Sequence, residues 1–204
     1  LLFYIKHVIE RESMSDLIMA LIFVTAVLVL PFWTWVSRST DKRRSYAIGI
    51  AFLAAVLLVL TAVTPQVPFW VVIVLCVLAG IGVSAAHVLP WSLLPDAVEY
   101  DEYQTGSRHE GMFFSLVTLA QKIASSITIP LTGVFLDVTG YVSNAAVQPA
   151  SAINGIRLLV GPVPGVFLVI GIIFALRFPI DRQEFTRIVL ELEKRRREAA
   201  RAHA

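Results

Sequence analysis

Charge is scarce in this chain of 204 residues: 16% are Asp, Glu, Lys or Arg, against roughly 25% in an average domain. The charges that exist fall in blocks between long uncharged runs, which excludes a water-soluble globular fold. Cysteine is scarcer still. The one cysteine, Cys76, lies inside an apolar run without an intrachain partner and reads as a small buried apolar residue, so a disulfide-stapled secreted domain is excluded. A hydrophobic content of 57% and a mean hydropathy of +0.76 exclude disorder. No Gly/Ser tract or low-complexity linker divides the chain. G-x-S-x-G, Walker A and glycine-rich phosphate loops are all missing, so no enzyme constellation is expected. His109-Glu110 opens like a zinc-binding H-E-x-x-H, but the second histidine would fall at Phe113, and neither metal nor cofactor is expected. The net charge of +2 does not point to nucleic acid, because the basic residues flank apolar runs, where membrane topology accounts for them.

Apolar sequence is abundant, in runs long enough to cross a bilayer core of about 30 Å with roughly 20 residues. Five runs qualify, at about 17–36, 46–63, 69–94, 111–136 and 155–176. The opening residues are apolar only to Ile5, before Lys6, His7, Glu10, Arg11 and Glu12. With no initiator methionine and no signal-peptide pattern, 1–8 reads as the sawn-off end of a sixth span and the chain as a fragment. The connections alternate in charge. Arg38, Lys42, Arg43 and Arg44 fill the connection after the 17–36 run, 64–68 carries no charge, and 139–154 has no Lys or Arg. By the positive-inside rule the basic connection is cytoplasmic, with 95–110 and the tail on the same side. That tail carries Arg177, Arg182, Arg187, Lys194, Arg195, Arg196, Arg197 and Arg201. Two units follow: a transmembrane part, 1–178, and a basic cytoplasmic tail helix, 179–204. Ile180, Phe185, Ile188, Val189 and Leu192 recur at helical spacing in that tail, with Asp181 as N-cap, which predicts a helix in water or on the inner leaflet.

Pro31, Pro90, Pro130, Pro162 and Pro164 fall in or beside spans, where they kink helices. Ala79, Gly80, Gly82, Ser84, Ala85 and Ala86 form a smooth stretch that admits a neighbouring backbone. His87 reads as a polar contact between helices, and Arg157 as a residue that snorkels to the outer interface.

Lys122 lies near the middle of 111–136, where a cation costs about 2.5–3.5 kcal/mol on insertion scales. By three- and four-residue steps Ser115, Thr118, Lys122 and Ser125 share one helix face, flanked by Gln121 and Ser126. Such a stripe faces a water path or polar groups on other helices. No carboxylate occurs at comparable depth in the other spans. Three explanations stand: a partner outside this chain, a neutral lysine, or snorkelling. The densest polar segment is 95–111. Continued as a helix from the preceding span, it places Asp96, Glu99 and Tyr103 on one side, opposite the basic connection. A salt-bridged gate of Asp96, Glu99, Asp101, Arg108 and Glu110 is one reading; a solvated loop with a helix start at Ser107 is the other.

The run Leu89-Pro90-Trp91-Ser92-Leu93-Leu94-Pro95-Asp96-Ala97-Val98-Glu99-Tyr100-Asp101-Glu102, with Thr105-Gly106, Arg108 to Gly111 and Gln121-Lys122, resembles the glycoside-pentoside-hexuronide:cation symporters. These form the melibiose-permease-like branch of the major facilitator superfamily. The resemblance implies an all-α membrane protein, here the C-terminal six-helix half with its first helix truncated. It implies Na⁺- or H⁺-coupled symport of a small solute, most simply a sugar or glycoside, by alternating access. Lys122 then lies near cation-binding carboxylates of the N-terminal half, with Gln121, Thr118 and Ser125 beside it, and the acidic stretch belongs to the cytoplasmic gate. The partners implied are that other half, the solute and membrane lipid, in a bacterial inner membrane. The Leu-Pro-Trp-Ser segment also resembles lysophospholipid importers, which keeps the substrate class open, and a non-transporting sensor or scaffold is the contrasting expectation.

Overall fold

The computed structural model describes residues 1–143, 145 and 147–202. Residues 144 and 146, inside the connection expected outside, and 203–204, at the end of the expected tail, lie outside the described residues. Every regular element among the described residues is helical. In order they are α1 (Leu2–His7), a 3-10 turn (Glu12–Met14), α2 (Ser15–Ser39), α3 (Lys42–Thr61), α4 (Phe69–Thr105), α5 (Glu110–Val138), α6 (Ala150–Val160), α7 (Pro162–Leu176) and α8 (Arg182–Ala202). Five stretches are long and apolar enough to cross a membrane: Glu12–Ser39, Lys42–Thr61, Phe69–Thr105, Glu110–Val138 and Ala150–Leu176. A helix satisfies its backbone internally, which lipid cannot do, so apolar runs of this length fold this way.

Local chemistry sets the ends. Asp41 caps α3, its carboxylate accepting the Arg43 N–H at 3.2 Å. Gly106, at φ +74°, ends α4 in the left-handed conformation and returns its N–H to the Glu102 carbonyl at 2.9 Å. The structure departs from the expected spans at two places. The run expected at 69–94 continues as helix to Thr105; its 37 residues, at ~1.5 Å each, reach about 55 Å, so the turns after Pro95 project beyond the membrane core. The run expected at 155–176 is two helices, broken at Gly161 because Pro162 has no N–H to continue the ladder. Only glycine fits the break, since an added Cβ would fall 2.1 Å from the Thr61 methyl and 2.8 Å from the Leu57 carbonyl oxygen.

Helix α4 is the hub, with α2 and α3 against it and α7 against α3. Its small residues make the crossings close: a Cβ on Gly80 would lie 2.7 Å from the Ile22 carbonyl oxygen, and one on Gly82 would lie 2.7 Å from the Leu53 Cβ. The Trp33 indole N–H donates to the Ile81 carbonyl at 2.9 Å and pins α2 to α4 beside buried Ala85 and Leu89. The short α1 docks through buried Tyr4 and Ile5, the Tyr4 hydroxyl donating to the Leu60 carbonyl. Arg157 donates from its Nη2 to the Val63 carbonyl at 3.3 Å, satisfying a group just past the end of α3. His87 is exposed, hydrogen-bonds no other helix among the described residues, and has its Nδ1 3.1 Å from the Val83 carbonyl of its own helix.

Gly80→Val is expected to cost about 1–3 kcal/mol by overpacking, because the obstruction is backbone and cannot rotate away. Thermal melting in detergent checks this, with Gly165→Ala as the control, since nothing lies within 4 Å of a Cβ built there. Equal melting of the two variants would refute the close-crossing account.

Candidate functional site

Helix α5 carries the polar stripe, and it is the least covered of the spans. Of its 29 residues only Leu136 is buried. It meets its neighbours near its ends, where Trp91 of α4 stacks on Phe114 with centroids 6.1 Å apart, whereas residues 118–131 are exposed all round. Ser115 and Thr118 satisfy their hydroxyls on their own helix, donating to the Gly111 carbonyl at 2.7 Å and the Phe114 carbonyl at 2.9 Å. Lys122, Gln121 and Ser125 are exposed and make no side-chain hydrogen bond among the described residues. Apolar Leu116, Leu119, Ile123 and Ile127 of the same helix are likewise more than half exposed. A bare helix with a mid-membrane cation therefore presents its stripe to whatever stands beside this chain.

The second site lies at one end of the bundle, where the α2–α3 connection, the projecting turns of α4 and helix α8 meet. Lys42 donates to both Asp96 oxygens, at 2.6 and 2.9 Å, and to the Ser92 carbonyl at 3.1 Å, and its ammonium sits 5.0 Å from the Phe185 ring centre. Asp96 is buried. Arg43 bonds the Asp41 carboxylate at 2.8 Å and the Phe178 carbonyl at 3.0 Å. Six residues further along α4, Glu102 takes Arg196 of α8 at 2.7 and 2.8 Å and Arg108 at 3.1 Å. Arg108 also reaches Glu110 at 3.0 Å, and Asp101 bonds the His109 ring at 2.7 Å. The acidic residues thus form no single cluster. Asp96 faces α3, Asp101 and Glu102 hold the turn into α5, and Glu99 leaves a buried carboxylate oxygen without a partner.

Sequence reasoning named Asp96, Glu99, Asp101, Arg108 and Glu110, with Tyr103 on the same side and Glu102 in the acidic stretch, but did not single out Lys42, Phe185, Arg195 or Arg196 as their partners. Arg195 lies over the Tyr103 ring at 4.9 Å and donates to its carbonyl at 3.2 Å. The α8 stripe was the available signal: Ile188 and Leu192 are buried, and α8 packs on α4. The apolar face of the tail is covered by the chain itself, with Asp181 capping through the Glu184 N–H at 2.8 Å.

Arg196, then Arg108, holds the Glu102 carboxyl below its usual range against the opposing effect of burial. A depressed native pKa contributes stability above the unfolded-state value and loses it as pH falls through the native one. Docking of α8 is therefore expected to persist from neutral pH down to the ordinary carboxylate range and loosen below it. Spin-label distances between α8 and α4 across that range check this, and Glu102→Gln should show the loosened distance already at neutral pH.

Residues 1–182 match the family described as MFS/sugar transport protein, nearly the whole chain. The chain belongs to that family. It is similar to an uncharacterized symporter of Synechocystis, 34% identical over 191 residues, 91% of this chain and 35% of the relative. It is similar also to the sodium-dependent lysophosphatidylcholine symporter 1 of Gallus gallus, 31% identical over 176 residues, 85% of this chain and 33% of the relative. The Xenopus tropicalis sphingosine-1-phosphate transporter is 25% identical over 197 residues, 95% of this chain and 38% of the relative. The chain spans about a third of the length of these curated relatives. This is an all-helical integral membrane chain with a partial major facilitator superfamily fold.

Proposed function

We propose that this chain is the C-terminal half of a cation-coupled symporter that works by alternating access, with an N-terminal half of the same protein packed against α5. The observation that carries this is the uncovered middle of α5, a membrane helix whose hydroxyl stripe ends in Lys122 and whose cation has no carboxylate at its depth in this chain. In this reading Lys122, Gln121, Thr118 and Ser125 couple Na⁺ or H⁺ to the solute across the half-to-half interface. The gate on the cytoplasmic side comprises Asp96, Glu99, Asp101, Arg108 and Glu110, and the tail lies on the cytoplasmic side of a bacterial inner membrane. The name of the Gallus gallus relative, a sodium-dependent symporter, supports sodium as the coupling ion. For the solute, the names of two relatives support a single-chain phospholipid or sphingolipid. The family description supports a sugar or glycoside.

Uptake by the intact protein in proteoliposomes tests this. Labelled lysophosphatidylcholine or a labelled glycoside should accumulate under an inward Na⁺ or H⁺ gradient. Accumulation of neither class, or accumulation indifferent to collapsing both gradients, would overturn the reading in favour of a sensor or scaffold.

A further inference from the structure

A groove of about 390 Å³ runs between α3, α4, α5 and α7 toward the end of the bundle that holds the ion pairs. Trp91 and Leu94 of α4, Val117 of α5, Phe174 of α7 and Phe178 just past its end make its walls, with Tyr46 of α3 and Gln121 of α5 also on the lining. Its volume falls in the range of ligand sites, and its walls are almost wholly apolar. Two features keep it open. Pro90 and Pro95 prevent regular backbone bonding in the α4 wall, and Gly171 leaves the space in front of Tyr46 empty, a Cβ there lying 3.8 Å from the hydroxyl. Phe174 is 70% exposed and Trp91 41%, so the walls continue onto the outer surface. Arg43 fixes the rim by holding the Phe178 carbonyl. Arg177, the C-cap of α7 and the chain neighbour of the lining residue Phe178, is exposed and enters no ion pair among the described residues. An apolar slot in a membrane-spanning bundle with a free guanidinium at its headgroup-level rim is complementary to one kind of molecule.

We infer that the groove holds an acyl chain of an anionic phospholipid from the cytoplasmic leaflet, with its phosphate on Arg177. This bound lipid is a resident of the bundle and not the transported solute. It would wedge the sparsely packed α5 against α4 and α7.

Native mass spectrometry of the intact protein, released from nanodiscs of equal phosphatidylglycerol and phosphatidylcholine with matched chains, tests it. The expected result is one retained phosphatidylglycerol per chain, enriched several-fold over phosphatidylcholine. Gly171→Leu should fill the slot and abolish retention, and Arg177→Gln should remove the enrichment while leaving a chain bound. Photolabelling of the unsubstituted protein with a diazirine phosphatidylglycerol supplies a readout that does not depend on a variant folding, and label is expected on α5 and α7 peptides. Equal retention of both lipids by the unsubstituted protein, retention undiminished in a folded Gly171→Leu, or label absent from α5 and α7 would each overturn the inference. An outcome in which the slot is occupied by another part of the protein would appear as absent label. Gradient-driven uptake, measured separately, reports on symport, so the two proposals can fail independently.

Discussion

Lys122→Ala is expected to abolish gradient-driven uptake, by about 100-fold or more, while membrane insertion and abundance stay normal or rise. The expectation of undiminished abundance comes directly from the structure. Lys122 is exposed and makes no side-chain hydrogen bond among the described residues, on a helix stretch with no buried residue, so truncating it removes little packing within this chain. Insertion should become easier, since a mid-membrane lysine costs about 2.5–3.5 kcal/mol and an alanine nearly nothing. A loss of two orders of magnitude in coupled uptake corresponds to about 2.8 kcal/mol of lost interaction, the scale expected when a desolvated cation leaves its carboxylate partners. Uptake in proteoliposomes, normalised to protein measured by immunoblot, is the check. Coupled uptake surviving at near-normal rate would remove Lys122 from the coupling site, and a parallel fall in abundance would make its role one of stability. Lys122→Arg separates charge from shape: it keeps the cation but replaces a point charge by a planar fork, and partial recovery is expected.

Lys42→Met is expected to be the most damaging substitution at the opposite site, lowering stability by about 2–4 kcal/mol. Asp96 is 6% exposed at its side chain and Lys42 30%, so removing the ammonium strands a buried carboxylate without its cation. The cost falls below that of a fully buried pair because Lys42 is partly in water. The Ser92 carbonyl and the Phe185 ring lose their partner as well. Replacing both members, as Lys42→Met with Asp96→Leu, is expected to recover much of the loss, since an apolar pair carries no stranded charge. Thermal unfolding of the two single variants and the double variant in detergent forms the cycle. Strictly additive losses would mean that the pair contributes no coupling and that the short distances are incidental.

How the two sites divide between sequence and fold follows from the range of the forces. The spans were legible because lipid imposes a length and a polarity on any helix that crosses it, and α2, α3 and α5 begin and end within a few residues of the apolar runs. The stripe on α5 was legible for the same reason: helical period alone places Ser115, Thr118, Lys122 and Ser125 on one face, whatever that face meets. The break at Gly161 was half legible. Pro162 and Pro164 announce a weak point, but the closeness of Thr61, whose methyl would lie 2.1 Å from an added Cβ and so demands glycine there, is a property of α3 crossing α6 and α7. The extension of α4 to Thr105 was masked by its acids, which end the apolar run without ending the helix; the actual stop is Gly106.

Composition and periodicity thus determined that this is a helical membrane chain, where its apolar runs lie, which connections are basic, and that Lys122 stands mid-span on a polar stripe. Those properties depend on one segment and its solvent. Packing alone determined that Lys42 takes Asp96, that Arg157 bonds the Val63 carbonyl, and that Arg196 crosses 94 positions to Glu102 and seats α8 on α4. An ion pair between surface-facing side chains leaves no periodic trace in either segment. Each basic residue of the tail is equivalent by local sequence, and the three-dimensional path of α4 past the end of α8 chooses among them.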